Sequence, residues 1–169
     1  MNQSDFLKVV LPFKDKVFRL AKRLLVSTEE AEDALQELYF KLWKSKDKIV
    51  EYKNVEAFAM TMTKNYCYDR LKSKQASNLT LVHSNYLEKD TALDKKVEYQ
   101  DSLSIVHQLI EKLPDQQKII IQLRDIEEYD LEEIGKMVDM KPTAVRVALS
   151  RARKTIREEL IKKHNYGIS

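Results

Sequence analysis

The chain has 169 residues, enough for one ordinary domain or two small ones. Two glycines and three prolines beside 43% apolar residues argue against collagen-like, barrel and sandwich folds, which need many turn residues, and leave a mostly helical chain. The net charge of +3 hides a segregation: 15 basic against 11 acidic residues over 1–74, 3 against 5 over 75–101, 4 against 9 over 102–140, and 8 against 2 over 141–169.

No apolar run approaches the roughly 18 residues of a bilayer span, and the opening MNQSDFLKVV lacks a basic segment followed by an apolar leader. A soluble, cytoplasmic protein without membrane insertion is expected. Cys67 is the only cysteine, which excludes an internal disulfide, and no Cys or His grouping has zinc-site spacing. Neither a metal nor a cofactor is expected. Two basic blocks far apart in the chain point to a polyanionic partner touched at two places, with affinity that falls as salt rises.

The first helical stretch spans about Ser4 to Leu25, with Phe6, Val10, Phe13, Val17, Leu20, Ala21 and Leu24 inward and a break or kink at Pro12. At Ser27 a capping box with Glu30 predicts a second helix to about Lys44. Its inward stripe is Ala31, Ala34, Leu35, Leu38, Tyr39, Leu42 and Trp43, while Asp33, Gln36, Glu37 and Phe40 share another face. A lysine-rich connector, KSKDKIVEYK, leads to Asn54, an N-cap for a third helix to about Lys74 with Val55, Phe58, Ala59, Met62 and Tyr66 inward. Late in that helix Lys64, Asn65, Tyr68, Arg70, Lys72 and Lys74 form a cationic surface holding an aromatic. From Gln75 onward QASNLTLVHSNYLEKD has no helical period and reads as a flexible linker.

Periodicity returns from about Ala92 to Leu113, with Leu103, Val106, Leu109, Ile110 and Leu113 ending at Pro114. A helix from Asp115 to about Glu127 follows, then Asp130 and Glu133 cap a short helix, Leu131 to Val138. After the turn Asp139-Met140-Lys141, Pro142 opens a basic amphipathic helix with Val145, Leu149, Ala152, Ile156 and Leu160 inward. The expected architecture is all-α: two small helical domains, 1–74 and 92–169, joined by a linker at 75–91, the second a helix-turn-helix.

Short helix, three-residue turn and basic helix match the motif whose second helix enters the major groove. Thr143, Arg146, Val147, Ser150, Arg151, Arg153 and Lys154 lie on its solvent side, and arginine suits bidentate pairing with guanine. The alternative is a solvated charged face on a core helix. Against it, no acidic residue interrupts the run from Lys141 to Arg157, as a surface built for solubility would require.

Three motifs resemble the extracytoplasmic-function sigma factors of the sigma-70 superfamily, which direct bacterial RNA polymerase to promoters. AEDALQELYFKLWK at Ala31–Lys44 is similar to their core-binding helix, FAMTMTKNYCYDRLKSK at Phe58–Lys74 to their promoter-melting helix, and LPDQQKIIIQLRDIEEYDLEEIGKMVDMKPTAVRVALSRAR at Leu113–Arg153 to their upstream-element reader. The chain departs from the family pattern at Phe58 and Ala59, at Lys118, at Asp139 where glycine is common, and at Thr143-Ala144 where Gly-Thr is frequent. Asp139 can take the left-handed conformation that such a turn needs.

The resemblance implies a non-enzymatic initiation factor. Asp33, Gln36, Glu37 and Phe40 would meet the clamp helices of the polymerase β′ subunit, with the β flap as a further contact. Capture of a flipped −10 base would fall within the connector, at Lys46, Lys48, Tyr52, Lys53 and Asn54. Lys64, Asn65, Tyr68, Arg70 and Lys72 would hold the opened strand, and the basic helix would read the −35 element. The same resemblance implies an anti-sigma factor that occludes these surfaces.

Bland alternatives stand beside several of these roles. Phe40 is otherwise a core residue, and Tyr52 or Tyr68 an ordinary core edge. Cys67 reads as a small buried side chain rather than a redox switch, Asp69 and Arg70 as an ion pair that orients the helix, and Trp43 as core. Two other functions compete: a conventional helix-turn-helix regulator acting without polymerase, and a helical adaptor using the Phe40 face.

Overall fold

The computed structural model describes residues 2–77 and 102–168. Every regular element among them is helical, as expected: α1 (Gln3–Val10), α2 (Lys14–Leu25), α3 (Thr28–Lys44), α4 (Lys46–Ile49), α5 (Val55–Ser77), α6 (Ser102–Glu111), α7 (Asp115–Ile121), α8 (Leu131–Val138) and α9 (Pro142–Ile168). They form two helical domains. The expected linker lies outside the described residues apart from 75–77, where α5 continues three residues beyond its expected end. The stretch 92–101, expected to begin the fourth helix, also lies outside them.

Pro12 ends α1 as anticipated, because it cannot donate to the helical ladder. The chain passes through a tight 3-10 turn at Leu11–Phe13 and resumes as α2. All seven inward residues of this stretch are buried. Ser27 caps α3, accepting from the Glu30 N–H at 3.3 Å. The return half of the capping box does not form, because the Glu30 carboxylate is drawn across to Lys74 of α5. On α3 the deep stripe narrows to Ala31, Ala34, Leu38 and Leu42, with Leu35, Tyr39 and Trp43 half-buried.

The connector is not a featureless loop. Residues 46–49 wind into α4, and Ile49 enters the core at 1% exposure. On α5 the most buried residues are Ala59, Met60, Thr63 and Cys67, so the inward face is turned from the expected Val55, Phe58, Met62 and Tyr66, which are half-buried. Packing explains the shift. α5 lies against α2 and α3 on one side and meets α8 of the second domain on another, so two faces lose water. The Thr63 hydroxyl donates to the Ala59 carbonyl at 2.7 Å, which satisfies a polar group buried in that contact.

In the second domain Leu109, Ile110, Leu113, Ile119, Ile120, Ile121 and Leu123 join Ile134, Met137, Val145, Leu149 and Ala152 in the core. The helix expected to run to about Glu127 changes at Gln122, where residues 122–126 form a wider π-type turn. Asp130 caps α8, accepting from the Glu133 N–H at 2.8 Å. Asp139 then adopts φ 56° and ψ 53°, the left-handed geometry anticipated for it. Gly135 is required where α8 meets the turn: a Cβ there would stand 2.6 Å from the Met140 carbonyl oxygen.

Candidate functional site

The face of α3 expected to meet a protein partner is intact. Asp33, Gln36, Glu37 and Phe40 are all exposed, and Phe40 retains 53% of its surface. This excludes Phe40 as a core residue. The Lys44 ammonium lies 4.3 Å from the Phe40 ring centroid and the Lys41 ammonium 5.6 Å from that of Tyr66, so two cations border the acidic patch. Burial pushes the Tyr66 hydroxyl up, opposed by Arg70 and reinforced by Glu37 and Asp33, which places these carboxylates within electrostatic reach of α5.

The connector residues stand beside this patch. The Lys46 ammonium sits 3.8 Å from the Trp43 ring centroid, while Lys48 and Lys53 are exposed. Trp43 in turn meets Phe6 edge-on at 5.1 Å, a satellite of the core. Tyr52 is 39% exposed, its ring tilted 40° against Phe58 at 4.8 Å. Phe58 thus braces a partly open aromatic surface. Asn54 is committed locally: its side-chain oxygen caps α5, accepting from the Ala57 N–H at 3.0 Å.

The cationic end of α5 divides. Asn65, Arg70 and Lys72 are exposed, but Lys64 and Tyr68 turn to the second domain. Lys64 donates to the Met137 carbonyl at 2.9 Å, and the Tyr68 hydroxyl approaches the Asp115 carbonyl at 3.5 Å. Burial, with a smaller contribution from Asp115, pushes the Tyr68 hydroxyl up to about 12. Lys64, Tyr68, Leu71 and Lys72 line one wall of a cleft of about 420 Å³ whose other wall is Asp115, Gln116, Ile119 and Val138. The expected Asp69–Arg70 ion pair does not form. Adjacent helical residues point roughly 100° apart, and both side chains face solvent. Cys67 is fully buried and its thiol is pushed up to about 12 by burial, which makes it inert at neutral pH.

On α9 the expected surface is present with one change. Thr143, Arg146, Val147, Ser150, Arg151 and Lys154 are exposed opposite the buried Val145, Leu149 and Ala152. Arg153, also exposed, is engaged by Asp125: its Nε donates to Asp125 Oδ2 at 3.1 Å and a second nitrogen contacts Oδ1. It therefore borders the basic face as part of an ion pair. Pro142 begins the helix with no acidic residue in its first turn, so the positive end of the helix dipole is uncompensated by side chains there.

A polar network joins the two domains, and the sequence pattern gave no sign of it. Arg19 of α2 donates to both oxygens of Glu127, at 2.6, 2.9 and 3.1 Å, and the Glu127 side chain is fully buried. Gln122 donates to Glu127 at 3.1 Å and accepts from Arg23 at 2.8 Å. Arg23 also donates to the His107 carbonyl at 3.2 Å and lies 3.9 Å from Glu111. Burial lowers the Arg23 pKa, opposed by Glu111, and burial followed by the Arg23 charge lowers that of His107. Lys16 extends the contact, its ammonium 5.0 Å from the Tyr129 ring centroid. The π-type turn supplies Gln122 and leads directly to Glu127.

A helix-turn-helix domain packed on a second helical domain is the architecture of a DNA-binding protein. The sigma-70 region 2 family matches residues 9–77, and sigma-70 region 4 matches residues 103–156. The ECF RNA polymerase sigma factor SigW of Bacillus subtilis is 27% identical, over 94% of this chain and 90% of its own. The ECF RNA polymerase sigma-E factor of Escherichia coli is 26% identical, over 92% and 86%. Among solved structures, the sigma factor RpoE in complex with the anti-sigma factor NepR from Bartonella quintana aligns at a TM-score of 0.71 and 18% identity, covering 92% of this chain and 96% of that one. CnrH in complex with the cytosolic domain of CnrY aligns at 0.69 and 16%, covering 95% and 90%. The chain belongs to the sigma-70 family, in its extracytoplasmic-function branch, the transcription initiation factors that work with RNA polymerase. The match to region 2 favours this over a conventional regulator acting without polymerase. Among the described residues no helix is long and apolar enough to cross a membrane.

Proposed function

We propose that residues 1–74 bind core polymerase and open the −10 element, that residues 92–169 read the −35 element, and that residues 75–91 join the two units. The observation that carries this is the presence of two exposed faces of different chemistry on different domains: the Asp33, Gln36, Glu37 and Phe40 patch on α3 and the basic face of α9. An aromatic bordered by carboxylates suits a protein hot spot meeting basic side chains, as on the β′ clamp helices. Arginines beside hydroxyls near a helix start suit a major groove. Catalysis belongs to the polymerase, in the cytoplasm.

At the −10 element Tyr52 offers a stacking surface, with Lys46, Lys48, Lys53, Asn65, Arg70 and Lys72 around it for the opened strand. Asn54 contributes through its cap, which fixes the start of α5. Lys64 and Tyr68 reach the strand only after the domains part, because both are covered by the second domain. An anti-sigma factor that holds the domains together would therefore keep them from DNA, and the likeness to a sigma factor solved in complex with the anti-sigma factor NepR supports this.

The test separates the two surfaces. Arg146→Ala and Arg151→Ala should each weaken −35 recognition by about 1–3 kcal/mol and leave core binding intact. Asp33→Arg should do the reverse. Equal loss of both functions in either set would overturn the division of labour.

A further inference from the structure

One apolar side chain stands in the middle of the cationic face of α9. Val147 is 49% exposed, with Thr143 and Ser150 exposed beside it one helical turn away on either side. Arg146 and Arg151 flank it about 140° apart around the axis, five residues at ~100° each. Neither guanidinium is held by a hydrogen bond or ion pair to a described residue, so both are available to a ligand.

The valine is not one of the buried core residues. Val145, Ala148, Leu149 and Ala152 already fill the buried side of this helix. A β-branched residue is also a weaker helix former than the alanine, lysine or arginine that an exposed position accommodates. Val147 lies in the second turn from Pro142, within the part of a recognition helix that reaches base edges. In the major groove an apolar side chain singles out one base, thymine, through its C5 methyl group.

We propose that Val147 is a specificity-determining residue that selects thymine at a central position of the −35 element, between the bases read by Arg146 and Arg151. This rests on α9 being the −35 reader. The valine γ-methyl groups cover the thymine methyl, while the flanking arginines fix the register by hydrogen bonding. A promoter chosen by this protein therefore carries a methyl-dependent position that no arginine substitution alters.

The experiment uses holoenzyme assembled from the full chain and bacterial core polymerase, with promoter DNA randomised across the upstream element. Wild-type holoenzyme should enrich thymine at one position adjoining those that change in Arg146→Ala or Arg151→Ala. Val147→Ser should lose that enrichment and keep the arginine-dependent positions, which shows that the domain still folds and docks. Replacing the selected thymine by deoxyuridine removes only the methyl group and should weaken wild-type binding roughly fourfold, with no effect on Val147→Ser. Thymine selection that persists in Val147→Ser, or equal wild-type affinity for the two bases, overturns the proposal alone. If no upstream element is selected, or if neither arginine variant shifts any position, the assignment of α9 falls and the role of Val147 falls with it.

Discussion

Replacing Arg19 by alanine should loosen the packing of the two domains without unfolding either. The Glu127 carboxylate is fully buried and accepts from Arg19 through both oxygens, leaving the Gln122 amide as its other side-chain donor. Removing one partner of a buried ion pair costs about 3–5 kcal/mol because a charge is stranded without compensation. The Arg19 side chain is 45% exposed, so water already screens part of the interaction and about 2 kcal/mol is the better figure. That corresponds to a shift of roughly thirtyfold in the ratio of closed to open molecules. Small-angle scattering, or energy transfer between a fluorophore on each domain, reads this directly. Adding Glu127→Gln to Arg19→Ala should restore much of the packing, since a neutral amide is less costly to bury unpaired. An unchanged closed population in Arg19→Ala, or equal opening whether residue 127 is charged or neutral, would show that the Arg19–Glu127 pair does not hold the domains together.

Acid should act on the same contact. Burial and then the Arg23 charge lower the His107 pKa; Arg23 belongs to the other domain, so parting the domains removes its contribution and protons bind preferentially to the separated form. Closure is fully supported above the ordinary histidine value of 6.5 and is lost as pH falls below it. Arg19, Lys22, Arg23 and Glu111 border one side of His107, and Asp125, Arg153 and Arg157 the other. His107→Gln should flatten the dependence below about pH 6.5; a slope equal to the wild type's in scattering measurements would assign the effect to another group. Gly135→Ala should lower the stability of the second domain by roughly 1–3 kcal/mol, because the added Cβ meets the Met140 carbonyl at 2.6 Å. A thermal melt as stable as the wild type's would show that the turn shifts freely.

Much of the molecule was legible because its helices are amphipathic and bounded by local chemistry. Pro12, Ser27, Asn54, Asp130 and Pro142 act within one helical turn of themselves, so their effects can be read without tertiary knowledge. The exposed faces of α3 and α9 were visible for the same reason. Residues answering to a distant partner were hidden. Met60 and Thr63 are buried only because α5 has neighbours on more than one side, and Glu30 abandons its cap for Lys74. Arg153 is drawn to the border of the basic face of α9 by Asp125, which lies 28 positions earlier. Val26 and Glu128 take positive φ values of 69° and 67° without glycine or asparagine to announce a turn. Arg19 lies 108 positions from Glu127 and Arg23 lies 99 from Gln122, beyond the reach of any periodicity.

We propose that this chain turns core polymerase into a promoter-specific enzyme through two DNA-reading domains. Mixing the purified protein with bacterial core polymerase and a promoter library, and scoring complex formation together with initiated transcripts against core alone, tests it most directly. Specific initiation from promoters sharing two spaced elements is the predicted result. A cognate, active core that neither binds the protein nor gains initiation, while the protein alone selects a palindromic duplex, would contradict it.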